Sequence, residues 1–107
     1  AFPAWLSPVQ VKVLPVTDRA AEYAGEAARK LDAQGFRAEV DGRSEKIGKK
    51  IREATLEKIP YMLVVGDRDM EAGTVSVRHR SEGDLGAMSL EQFSAMLRQV
   101  VDGKEKK

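Results

Sequence analysis

The chain contains no cysteine and a single histidine, His79. Disulfides, thiolate metal sites and cysteine nucleophiles are therefore excluded, and a metal site would have to rest on carboxylates. No apolar run approaches the roughly 20 residues needed to span a bilayer. Aromatic residues make up only 6% of the chain, which argues against a general platform for stacking unpaired bases. The first ten residues, AFPAWLSPVQ, have neither the basic nor the apolar region of a signal peptide, and they resemble the middle of a longer protein, cut at a linker. With 107 residues, 42% hydrophobic and 33% charged, the composition suits one soluble globular domain.

Charge is present but nearly balanced, with a formal net of +1. The exception is local. Residues 43–52, RSEKIGKKIR, hold five cations (Arg43, Lys46, Lys49, Lys50 and Arg52) against one anion, Glu45. A dense cationic segment in a near-neutral chain attracts polyanions, which makes nucleic acid the first partner to consider.

Alternation of apolar residues predicts strands over Val9–Val16, Phe36–Val40 and Thr74–Arg80, and the apolar run Tyr61–Val65 predicts a central strand. Between them, Ala20, Ala24, Ala27 and Leu31 mark a helix running to Gln34, capped by Thr17 or Asp18 and ended by Gly35. Ile47, Ile51 and Ala54 mark a second helix, with Lys46, Lys49, Lys50 and Glu53 expected on the solvent arc. Gly48 in that helix costs roughly 1 kcal/mol relative to alanine and suggests a close approach by another group. Gly66 to Gly73 reads as a polar turn, Glu82 to Met88 as a short fifth strand, and Ser89-x-x-Gln92 as a capping box opening the last helix. The order β-α-β-α-β-β-β-α implies an α/β fold with a parallel core and an added antiparallel pair.

Little in this pattern supports catalysis. His79 shares a strand face with Val75 and Val77, which favours a structural role over a general base. Asp67 and Asp69 suit a solvated turn better than a magnesium site. No P-loop and no G-x-G-x-x-G follows the first strand. Arg78 and Arg80 share a strand face that a parallel-core sheet brings near the second helix, and arginine forks fit both phosphates and base edges.

Four blocks carry a resemblance: FPAWLSPVQV (Phe2–Val11), DGRSEKIGKKIRE (Asp41–Glu53), IPYMLVVGDRDMEAGTVSVRHR (Ile59–Arg80) and DLGAMSLEQF (Asp84–Phe93). Together they resemble the C-terminal anticodon-binding domain of bacterial-type threonyl-tRNA synthetase, a class IIa enzyme. The resemblance implies a three-layer α/β/α domain with a mixed, mostly parallel five-stranded sheet. It also implies a linker at 1–8, the domain at 9–103 and a frayed tail at 104–107. The implied partner is the anticodon stem-loop of threonine tRNA, read at its middle G and third-position U. Ser44, Arg52, Asp69 and Arg78 are the implied base-reading residues, with Ser44 and Asp69 standing where asparagine and glutamate are frequent. Lys46, Lys49 and Arg80 are assigned to phosphate positioning. The parent enzyme is expected to be a cytoplasmic homodimer using ATP, magnesium and a catalytic-core zinc. This chain is expected to be a monomer without cofactor, membrane contact or catalytic activity. The alternative is a protein-interaction or accessory module on the same fold without RNA binding.

Overall fold

The computed structural model describes residues 9–102, so the expected linker and tail lie outside the described residues. Strand β1 (Val11–Pro15) pairs in parallel with β2 (Ala38–Val40) on one side and β3 (Tyr61–Val65) on the other. Strand β4 (Thr74–His79) runs antiparallel to β3, and β5 (Gly83–Ser89) antiparallel to β4. The sheet order is β2-β1-β3-β4-β5, with β4 alone reversed.

Three layers follow from this order. The β1-to-β2 connection moves to one side of β1, and the β2-to-β3 connection crosses back to the other. Crossovers of one hand that travel in opposite directions must cover opposite faces of a sheet. Accordingly α1 (Ala21–Ala33) buries Ala24, Ala28 and Leu31 against Val11, Val13, Leu63 and Val65. The last helix, α4 (Leu90–Asp102), adds Phe93 and Leu97 to that same core. Helix α2 (Ile47–Leu56) lies on the other face, where Ala54, Ile47 and Ile51 pack with Leu14 and Met62.

The helix ends are chemically explicit. After α1, Gly35 adopts a φ of +91°, its N–H bonds Asp32 O, and the Phe36 N–H bonds Leu31 O. This is a Schellman closure whose flanking pair, Leu31 and Phe36, is buried in the core. At the start of α4 the Ser89 Oγ accepts from the Gln92 N–H, and the Gln92 side chain accepts from the Ser89 N–H, both at 3.1 Å.

Three expectations need correction. A 3-10 turn at Asp18–Ala20 precedes α1, and neither Thr17 nor Ala20 caps a helix through its side chain. The expected polar turn after β3 contains a helix, α3 (Asp67–Ala72). Lys50 is not on the solvent arc of α2: it is 3% exposed.

Candidate nucleic-acid interface

Helix α2 covers β1 and β3 but not the outer half of its sheet face. Alternation along β4 sends Val75 and Val77 into the core and turns Ser76 and Arg78 to that open half. Asp84 on β5 stands opposite Arg78, and Ala87 opposite Ser76. With Ile51 of α2 and Val64 of β3, the residues Ser76, Arg78 and Asp84 line a depression of about 170 Å³. Its wall is apolar, and its rim carries a fork of donors, a hydroxyl and a carboxylate. That combination suits a flat heterocycle with polar edges.

The flanks of α2 decide which cations face the depression. Successive residues step about 100° around a helix. On one flank Lys50 bonds the Pro15 carbonyl and Glu57 pairs with Lys12, both on β1. Glu53 on that flank binds Arg43, which holds Asp41 beside β1. On the other flank the Thr55 hydroxyl lies 3.9 Å from the Met62 sulfur on β3. Gly48 and Arg52 share this second flank, so Arg52 leans toward the open half of the sheet. Its side chain is exposed and makes no hydrogen bond or ion pair with another described residue. Arg78, half-buried, likewise has no such partner among the described residues.

Asp69 borders the same region through β4. Its Oδ1 accepts from the Thr74 hydroxyl at 3.0 Å and the Ser76 hydroxyl at 3.3 Å, and its Oδ2 from the Gly66 N–H at 3.1 Å. The Gly66 bond closes the N-terminus of α3, while the hydroxyl bonds tie α3 to β4. Three donors leave room for about one more on a carboxylate. Asp67 pairs instead with Arg19 at 3.6 Å, so the two aspartates have separate partners.

The basic segment is less cationic than its composition. Arg43 donates from Nε and Nη2 to both Asp41 oxygens at 2.8 Å, and also pairs with Glu53. These bonds hold the Asp41 carboxyl down to about 2, keep Glu53 below the usual carboxylate range and raise Arg43 further. Lys49 pairs with Glu45 at 3.1 Å. Lys46, exposed at the N-cap of α2, and Arg52 are the two cations of the segment without a described partner. Ser44 is exposed in the bend before α2. Arg80 donates to the Lys58 carbonyl at 2.6 Å, tying the end of β4 to the end of α2. Beyond its own turn of helix, no described atom lies within 4 Å of where a Gly48 side chain would stand, so no close approach explains that glycine.

Asp69 and Arg78 thus border one half-sheet through Ser76, Arg52 follows Ile51 of its rim on α2, and Ser76 and Asp84 are members that sequence reasoning missed. Lys46 stands at the N-cap of α2, and Lys49 lies on the side of the helix opposite its buried stripe. His79 spends its Nδ1 on the Ser81 and Glu82 N–H groups, each at 3.2 Å, and packs edge-on to Tyr61. Among the described residues no group of three or more His, Asp or Glu could hold a metal ion, and no helix is long and apolar enough to cross a membrane.

A family model described as an anticodon binding domain matches residues 10–100. The chain belongs to that family. Within it, the chain is 58% identical over 104 residues to a threonine–tRNA ligase of Syntrophomonas wolfei, covering 97% of this chain and 16% of that protein. It is 57% identical over 106 residues to a threonine–tRNA ligase of Halorhodospira halophila, covering 99% of this chain and 17% of that one. The RNA-binding domain of threonyl-tRNA synthetase from Cryptosporidium parvum superposes with a TM-score of 0.88 at 33% identity, over 92% of this chain and 25% of that chain. The chain therefore spans about a sixth of the length of these curated relatives.

Proposed function

We propose that this chain is the anticodon-reading part of a threonine–tRNA ligase, taking the anticodon loop of threonine tRNA and reading its middle G and third-position U. The observation that carries the reading is the open half-sheet, where Arg78 on β4 lines an apolar depression with Ile51, Arg52 follows Ile51 on α2, and neither arginine has a partner among the described residues. Unpaired loop bases expose their polar edges to such a surface, and guanidinium forks donate to their acceptors. Asp69 contributes its remaining acceptor site to a guanine, and Ser44 a hydroxyl from the bend before α2. Lys46, Lys49 and Arg80 hold phosphates around the loop. An exposed ion pair such as Glu45–Lys49 is worth only about 0.2–1 kcal/mol, so it gives way readily to a phosphate.

Domain limits of 9–103, between a linker and a tail, fit this reading. ATP, magnesium and zinc belong in this reading to the full ligase and not to this chain. The chain alone is expected to make no threonyl-adenylate, which ATP–pyrophosphate exchange would reveal.

The decisive experiment is an NMR titration of the labelled chain with a threonine anticodon stem-loop and with one whose middle base is changed. Shifts at Arg52, Ser76 and Arg78 with the first RNA and not the second support the reading. Identical shifts with both RNAs would reduce it to nonspecific charge. No response to either would favour the protein-interaction module.

A further inference from the structure

Asp84 reaches its place opposite Arg78 through an irregularity in the sheet. Along β4 and β5 the pairing runs Ser76 to Ala87 and Val77 to Gly86, then shifts by one residue between Val77 and Arg78. An unbroken ladder would set Leu85 against Arg78. The extra residue sets Asp84 there instead, while Leu85 packs against the main core. Bulges re-aim side chains in this way. Gly86, at a φ of +94°, supplies the backbone shape, and its N–H donates to Asp84 Oδ1 at 2.8 Å.

We infer that Asp84 is a specificity-determining, base-contacting residue of the depression, accepting the paired N–H donors of the guanine whose O6 is addressed by Arg78. The inference rests on the anticodon reading above. Three observations support it. Arg78 and Asp84 are direct cross-strand neighbours lining one depression, yet no ion pair joins them, so both rims stay available to a ligand edge. Asp84 has one described donor, the Gly86 N–H, whereas Asp69 has three and cannot take two more. The anchored Oδ1 also fixes the plane in which Oδ2 is presented.

The chemistry selects one base. Guanine alone carries two adjacent donors, N1–H and the 2-amino group, beside an acceptor, O6. Adenine and cytosine put a ring-nitrogen acceptor where a carboxylate needs a donor, and uracil offers one donor between two acceptors. A carboxylate therefore accepts a matched pair from guanine and meets a lone pair or an unfilled site with the others.

The test compares binding of the chain to the threonine anticodon stem-loop and to the same RNA with inosine as the middle base. Inosine keeps N1–H and O6 and lacks only the 2-amino group. The unaltered chain should favour guanine by roughly tenfold, as expected for loss of a hydrogen bond to a charged group. Asp84→Asn should bring that ratio close to one, while Asp84→Glu keeps part of it. If Asp84→Asn weakens both RNAs equally, or leaves the ratio unchanged, Asp84 does not read the base and the inference is overturned. A chain that never distinguishes the two RNAs overturns it without any variant. If Arg78→Ala also leaves RNA binding intact, the anticodon reading itself fails.

Discussion

The Lys50 ammonium donates to the Pro15 carbonyl oxygen at 3.0 Å from the middle of α2, beneath the surface of the protein. Its stem fills the seam between α2 and β1, and its charge meets a strand-end dipole rather than water. Lys50→Ala removes that packing and leaves the carbonyl unpaired, for an expected loss of about 2–3 kcal/mol. Lys50→Met keeps the stem volume and should lose about half as much. Neither change should alter the RNA affinity of the folded chain. Urea unfolding alongside RNA titration checks both expectations.

Acid should expose the Asp41–Arg43 bond. The side-chain hydrogen bonds from Arg43 lower the Asp41 carboxyl from 3.8 to about 2. A carboxyl depressed in the folded state stabilises the fold above its unfolded value, and the contribution fades as pH falls through the folded value. The stabilisation should be fully present above about pH 4 and disappear toward about pH 2, amounting to about 2 kcal/mol. Asp41→Asn should lower stability by about that amount at neutral pH and by little at pH 2. Denaturant midpoints at both pH values measure the difference.

Strong periodicity made most of the fold legible. Val11 and Val13, the YMLVV run, the alternation from Val75 to Arg78 and the Ser89–Gln92 box all produced the elements they suggest. Helix α3 was hidden because six residues between glycines show no apolar stripe; contacts from Asp69 to Gly66, Thr74 and Ser76 hold it. Lys50 looked exposed because it is charged, although it lies three residues from Ile47 and four from Ala54, on the margin of the buried stripe. Of the candidate site, Arg78 could be raised from residue type and strand face, whereas Arg52 and Asp69 were named through the resemblance. Ser76 was visible only as a strand position, and Asp84 not at all. A one-residue shift in pairing decides which side chain meets Arg78, and composition carries no trace of it beyond the nearby Gly86.

Lys58 holds a φ of +64° at the end of α2, the left-handed conformation that side chains resist. The N–H groups of Lys58 and Ile59 bond the Thr55 and Ala54 carbonyls, closing the helix as Gly35 closes α1. The exposed side chain has no described partner, and the bond from Arg80 goes to the backbone carbonyl. Lys58→Gly should therefore raise stability by about 1 kcal/mol, relief of strain exceeding the entropy that glycine adds to the unfolded chain. Thermal unfolding of the two proteins reads it directly, and a lower midpoint would show that the left-handed turn carries no strain.

Salt dependence separates the cations. Arg78 faces the depression, so Arg78→Ala should cost about 1–3 kcal/mol with the matched anticodon and reduce discrimination at one base. Lys46 sits on the outward end of α2 without a described partner. Lys46→Ala should weaken every RNA alike and lower the slope of log affinity against log salt by about 0.7, the loss of one single-strand phosphate contact. Lys49 shares its charge with Glu45, and its removal leaves that carboxylate unopposed near the RNA. Lys49→Ala should consequently reduce affinity while changing the slope less than Lys46→Ala does, and Glu45→Gln should strengthen binding to matched and mismatched RNAs equally. Equal slopes for the two lysine variants would show that the Glu45 pair dissolves before RNA arrives and that the cations on this helix act as an undifferentiated field.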